Sequence, residues 1–222
     1  VEQPEDLFAL ASTSLVALLV VGDPLQATTH VDLQLQAAEA GIECRVFHGI
    51  SITTLVTGAI GLSNYRFGRQ TTLTYPYGGW VATSPLETII VNRFTGLHTL
   101  ALLDLDPTGL GTGDQRPMMP GDAVASIDLM RLKIEEGLTE REFSDDNPSD
   151  LLTKAALQSF VEEDALQMRV VLCSDMGTGD QRIVSTTVEG LSKQAGGRLN
   201  CIIFPATTGE VEEKALVRWE QE

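Results

Sequence analysis

Residues 21–30 read VGDPLQATTH, and they are the part of the chain best suited to meet a ligand. A continuous apolar run at residues 15–21 stops at Gly22-Asp23-Pro24, and the hydroxyl-rich Thr28-Thr29-His30 follows. Gly22 lets the backbone approach another group closely, Asp23 supplies a carboxylate, and Pro24 pre-sets φ while removing a donor. In open α/β sheets ligands bind outside the carboxyl ends of strands, which would point this turn at a ligand. Gly-Asp-Pro is also an ordinary turn tripeptide. No Ser-His-Asp or Cys-His order, paired-carboxylate signature or metal-ligand spacing stands out elsewhere. His30, His48 and His98 are far apart in sequence and read as packed or capping residues rather than ligands. Cys44, Cys173 and Cys201 form no Cys-x-x-Cys pair, which argues against a disulfide framework or a zinc site. GTGDQR occurs twice, at residues 111–116 and 177–182, and neither copy runs into the Lys-Ser/Thr of a phosphate loop. Both read as turns; the second follows a strand and could close over a ligand.

The elements that must position these residues alternate. Strand-like runs are expected at residues 15–21, 44–47, 71–75, 99–105, 169–173 and 201–204. Helical patterns are expected at 31–40, 52–60, 84–94, 123–136 and 151–162. This alternation predicts α/β architecture, with residues 15–21 as a strand covered on both faces. The 31–40 helix would cover Val31, Leu33, Leu35 and Ala38 and stop at Gly41. The acidic stretch 140–150 reads as a solvated loop with Ser149 or Asp150 capping the next helix. Residues 64–68, NYRFG, read as a linker between two domains.

The formal net charge is −16, from 15 basic against 31 acidic residues, and Lys133, Lys154, Lys193 and Lys214 are the only lysines. Such a surface repels nucleic-acid phosphates. It suits a protein working in concentrated salt, where screening reduces self-repulsion, although a merely acidic, well-solvated surface has the same composition. No run is long enough to span a membrane, so a cytoplasmic protein with no membrane or nucleic-acid partner is expected.

Residues 21–52 together with NYRFGRQTTLTYPYGGW (64–80) and GLHTLALLDL (96–105) closely resemble the diphthine synthase family. The resemblance is ordered from about residue 20 to 105, weak across the acidic middle, and returns at 168–205. It implies a two-domain tetrapyrrole methylase-like α/β fold, divided at residues 1–66 and 67–222, with the cofactor cleft between the domains. It implies S-adenosyl-L-methionine as cofactor, a homodimer, and translation elongation factor 2 as the protein substrate. The implied reaction is repeated methylation of the amino group of the 2-(3-carboxy-3-aminopropyl)-L-histidine intermediate, ending in a trimethylated product. Family members begin with a strand and a glycine-containing loop that have no counterpart here, so residues preceding Val1 are expected to supply one wall of the site. Two other readings remain: a precorrin or uroporphyrinogen methyltransferase of the same fold, with a larger apolar cleft, and a non-catalytic scaffold.

Residue by residue, the resemblance places cofactor contacts at Asp23 and Gln26, at Ser51 and Ile52, at Leu103, at Met176 and at Asn200. Gln26 stands where a small apolar residue is common, which suggests a backbone contact. Ser51 is equally readable as a helix N-cap. Met176 takes the place of the apolar residue that closes the site, and Asn200 that of a histidine. Thr28, Thr29 and His30 could line the substrate side or cap the next helix. The Tyr75–Trp80 loop offers aromatic surface to a methylated amine or to the elongation factor, or else packs at a dimer interface. A methyl transfer needs no triad: the cofactor is already an activated electrophile, and the protein must align groups, exclude water and let the amine lose its proton.

Overall fold

The computed structural model describes residues 4–109 and 115–220. Most of the first GTGDQR copy, residues 111–114, lies outside the described residues. The chain divides into two compact units, Val1–Leu55 and Val56–Glu222.

The first unit holds α1 (Glu5–Ala11), α2 (Val31–Glu39) and the start of α3 (Ile52–Ala59). The strands expected at residues 15–21 and 44–47 are not strands: both segments carry no ladder. Leu15, Leu18, Leu19, Val21 and Phe47 are exposed. Apolar, β-branched sequence supplies the propensity, but a strand exists only when neighbours take its N–H and C=O groups and cover its faces. The face expected to be covered on α2 is likewise open, with Ala37 its buried residue and Val31 and Leu35 exposed.

The second unit is built on a five-stranded sheet: β1 (Thr71–Leu73), β2 (Thr99–Leu103), β3 (Arg169–Ser174), β4 (Arg182–Thr187) and β5 (Asn200–Phe204). The order is β1-β2-β5-β3-β4, with β1 and β2 parallel and the other pairs antiparallel. Four of these strands match expectation within two residues; β4 is additional. One face, carrying Leu73, Ala101, Leu103, Leu172, Val184, Ile202 and Phe204, joins the buried sides of α4 (Ser84–Phe94), α5 (Pro120–Gly137) and α6 (Pro148–Phe160) in one core. Each such large side chain contributes about 1.5–3 kcal/mol on burial. The opposite face is buried as well, through Leu100, Val171, Cys173 and Ile203, which explains the unbroken apolar character of β2, β3 and β5. α7 (Glu210–Val217) sits close enough to Gly61 that a Cβ there would lie 2.5 Å from that of Ala215.

α6 starts at Pro148 and is capped by Asn147, whose side chain accepts the Ser149 N–H, rather than by Ser149 or Asp150. Residues 64–68 are not a free linker. Asn64–Arg66 form a 3-10 turn, and the Arg66 guanidinium is anchored to Glu212, to the Gly96 carbonyl and to the Thr207 carbonyl within the second unit.

Candidate functional site

In the first unit the Gly-Asp-Pro turn is tied down by its own carboxylate. Asp23 Oδ1 accepts the Leu25 N–H at 2.9 Å, and Oδ2 lies 2.8 Å from His48 Nδ1. The Leu25 N–H, with help from His48 and the Gly49 N–H and against the cost of burial, holds the Asp23 carboxyl below its ordinary range. Asp23 is therefore ionised at neutral pH. Gln26 is exposed and donates its backbone N–H to the Asp23 carbonyl at 3.3 Å. Ala27 follows with φ 54°, a left-handed conformation stabilised by the turn.

Residues 22–23 and 48–49 run backbone against backbone. A Cβ on Gly49 would lie 2.2 Å from the Gly22 carbonyl oxygen, so only glycine allows this approach. Two residues on, Ser51 stands at the start of α3; its Oγ accepts the Thr53 N–H at 3.3 Å and the Thr53 hydroxyl at 3.0 Å. The N-cap reading of Ser51 is thus realised, and Ile52 opens the helix beside it. His30 precedes α2 without a side-chain cap and places Nδ1 2.9 Å from the Pro24 carbonyl oxygen. Asp23, Gln26, His48 and Ser51 belong to one pair of turns in one unit.

In the second unit Leu103, Met176 and Asn200 come to the same end of the sheet. Leu103 is the last residue of β2, and the register Leu102↔Cys201 and Ser174↔Asn200 puts Asn200 beside it and beside the end of β3. Leu103 is buried and Met176, two residues past β3, is half-buried. Asn200 is fully engaged: its Oδ1 accepts the Ser174 hydroxyl and the Gly197 N–H, each at 2.8 Å, and its Nδ2 reaches the Met118 and Gly197 carbonyls at 3.3 Å. It fastens β5 to β3 and to the segment before α5. Asp175, at φ 49°, accepts the Arg198 and Leu199 N–H groups and keeps the β3–β4 turn against the residues that lead into β5. The second GTGDQR copy forms that exposed turn, closed by Gly177 N–H to Gln181 and Asp180 N–H to Thr178, and its Arg182 opens β4.

The Tyr75–Trp80 segment is a tight hairpin. Tyr77 and Trp80 exchange both backbone hydrogen bonds across Gly78 and Gly79, which have φ 57° and 81°, as a two-residue turn with positive φ requires. Trp80 is exposed, with the Lys133 ammonium 5.0 Å from its ring centroid. Sequence reasoning passed over Asp104, which follows Leu103 and gathers this hairpin. The available signal was an apolar run, LALL, ending abruptly in Asp, the same grammar as at Val21-Gly22-Asp23.

Among the described residues no group of three or more His, Cys, Asp or Glu side chains could hold a metal ion, and no helix is long and apolar enough to cross a membrane. Cys173 and Cys201 face each other across β3 and β5, both buried as free thiols, and Cys44 is exposed and free.

The sequence profile of the Tetrapyrrole (Corrin/Porphyrin) Methylases matches residues 2–107. A diphthine synthase of Methanoregula boonei is 40% identical over 132 residues, 60% of this chain and 50% of that protein. One of Halorubrum lacusprofundi is 32% identical over 220 residues, 97% of this chain and 72% of that protein. A solved diphthine synthase structure superposes with a TM-score of 0.71 at 28% identity, covering 99% of this chain and 71% of the other. The chain thus spans about half the length of the Methanoregula relative and nearly three quarters of the Halorubrum one. With sequence and fold agreeing from end to end, this chain belongs to the diphthine synthase family, within the tetrapyrrole methylase fold.

Proposed function

We propose that the protein transfers methyl groups from S-adenosyl-L-methionine to the amino group of the carboxy-aminopropyl histidine intermediate on translation elongation factor 2. The observation that carries this reading is the 32% identity to a diphthine synthase over 97% of the chain. The residues fit the cofactor's chemistry. Asp23 is held ionised, and with the Leu25 and Gly49 N–H groups and His48 on its two oxygens one acceptor position remains for a hydroxyl or ammonium donor. Met176 offers part-exposed apolar surface at the sheet end, beside the buried Leu103, where α/β sheets meet their ligands. When bound, the cofactor supplies an activated methyl on a sulfonium. The chain's own task is to orient it and keep water away, and the residues proposed for this are Asp23, Gln26, Ser51 and Ile52 together with Leu103, Met176 and Asn200. In this reading the active assembly is a homodimer.

Calorimetry tests this reading. Asp23→Ala is expected to weaken S-adenosylmethionine binding about tenfold or more, the loss of a hydrogen bond to a charged acceptor. Unchanged affinity would remove Asp23 from the site.

The acidic, lysine-poor surface supports a salt-rich cytoplasm. Thermal midpoints are expected to rise from low to molar potassium chloride, as screening relieves carboxylate repulsion. A flat or falling curve would contradict that assignment and leave the methyltransferase reading untouched.

A further inference from the structure

Every polar group of Asp104 is engaged. Its Oδ1 accepts the N–H groups of Leu105 at 2.8 Å and Asp106 at 3.1 Å. Its Oδ2 accepts the Tyr75 N–H at 3.2 Å and the Tyr77 hydroxyl. Its own N–H donates to the Leu73 carbonyl at 3.1 Å, and its carbonyl accepts the Met118 N–H at 2.9 Å. One residue thus joins the exits of the parallel neighbours β1 and β2 to the segment that enters α5. The joint is reinforced on both sides. The Tyr77 ring lies against Gly109, where a Cβ would come within 2.9 Å of the ring. The Tyr75 hydroxyl lies 3.2 Å from Asp122 Oδ2, with the Arg116 guanidinium 5.2 Å from the Tyr75 ring centroid.

The side-chain bonds need a carboxylate. Four donors converge on two oxygens, and an amide would turn an NH2 group toward either the Tyr75 N–H or the two loop N–H groups. Deleting the clasp frees the hairpin from the β2 exit without touching the strand ladder. Leu103 is the residue immediately before Asp104, and Asn200 is its neighbour across the sheet.

We infer that Asp104 is a positioning residue for the cofactor: by clasping Tyr75 and Tyr77 to the exit of β2 it fixes where the hairpin, Leu105 and Asp106 stand beside Leu103. The inference rests on the methyltransferase reading. It also explains why the aromatic hairpin follows β1 so closely, since Tyr75 and Tyr77 reach back to a carboxylate on the adjacent strand. Burial and the Asp104 carboxylate push the Tyr77 phenol up to about 12, which gives the clasp its own optical signature.

The test uses the full chain, S-adenosylmethionine and three readouts: KM and kcat for methyl transfer, cofactor affinity by calorimetry, and ultraviolet titration of the phenols. Asp104→Asn is expected to raise cofactor KM and Kd about ten- to a hundredfold, the loss of one or two hydrogen bonds to a charged group. It should change kcat less, and it should return one phenol from about 12 toward 10. Tyr77→Phe, which leaves the Tyr75 and loop contacts in place, is expected to show the same KM-weighted defect in smaller measure and carries the test if Asp104→Asn does not fold. A lower melting temperature with unchanged cofactor KM and Kd in both variants would make Asp104 a fold-holding residue only and overturn the inference. A wild-type chain that binds no S-adenosylmethionine would instead overturn the functional reading; a normal Tyr77 titration in wild type would overturn the clasp itself.

Discussion

Glu212→Ala is expected to unfold roughly 10 °C below wild type. Glu212 is buried at the start of α7, and four donors converge on its carboxylate: the Ser63 N–H at 3.0 Å, the Gly209 N–H at 3.0 Å, Arg66 Nη1 at 2.6 Å and His98 Nε2 at 3.2 Å. His98 has no exposed surface, and its Nδ1 accepts the Ala206 N–H at 3.0 Å, so the ring is neutral with its proton on Nε2. Removing the carboxylate leaves the buried His98 Nε2–H without its acceptor and takes from Arg66 its ion-pair partner, leaving that guanidinium to the Gly96 and Thr207 carbonyls, and breaking a buried pair from one side costs about 3–5 kcal/mol. For a domain of this size each kcal/mol moves the midpoint by about 2–4 °C. The cluster lies before β2 and after β5, at the end of the sheet opposite Leu103, so binding of cofactor by the folded variant should change little.

The same cluster sets the acid limb of stability. Burial pushes His98 below its ordinary 6.5, so the unfolded chain takes that proton more readily; stability present above about pH 6.5 falls as the pH drops. Burial pushes Glu212 up, but the Gly209 and Ser63 N–H groups and His98 outweigh it and bring the carboxyl down to about 2 from 4.5. Its contribution is complete above about 4.5 and is lost as the pH falls toward 2. Chemical denaturation between pH 3 and 8 should show wild type losing stability on acidification, with the step below 4.5 smaller in Glu212→Gln. An unchanged acid slope in that variant would contradict the assignment.

Gly49→Ala is expected to cost on the order of a hundredfold in methyl-transfer rate, for a reason that lies in the backbone. The added methyl would lie 2.2 Å from the Gly22 carbonyl oxygen and 3.0 Å from its carbon, and a backbone atom cannot swing aside as a side chain can. Relief requires the turn carrying Asp23 and the segment leading to Ser51 to part by about 1 Å, a displacement that can cost about a hundredfold when groups must be aligned for reaction. Gly121→Ala is the control, since a Cβ there meets nothing within 4 Å. Equal kcat/KM in the two variants would show that the close approach does not shape the site.

What the sequence made legible follows from how local each signal is. LALL and the apolar stretches of β3 and β5 announce strands because both sheet faces are buried, and α4 announces itself through Pro85 near its start and Leu86, Ile89 and Ile90 on one side. α7 was missed because EVEEKALV buries only Glu212 and Leu216 and has no apolar stripe. β4 was missed because its Arg182 closes a repeat that reads as a turn, and RIVSTT is paired on one side by β3. Residues 15–21 show the reverse error: apolar sequence alone does not make a ladder. Asp23 was singled out by its Gly-Asp-Pro turn, Ser51 by a helix start and Leu103 through the family resemblance, but what holds them was not legible. His48 is 25 residues from Asp23, Glu212 is 114 from His98, and Asp104 is 27 from Tyr77. Such contacts are fixed by topology, and no spacing rule reaches across them.

The decisive measurement incubates the protein in high salt with methyl-labelled S-adenosylmethionine and elongation factor 2 that carries the carboxy-aminopropyl histidine intermediate, and follows label by mass spectrometry. Label is predicted to accumulate on the amino group of that side chain in successive methyl increments, with none on elongation factor lacking the intermediate. A protein that binds the cofactor yet leaves the intermediate unlabelled, or that methylates a tetrapyrrole in its place, would contradict the account.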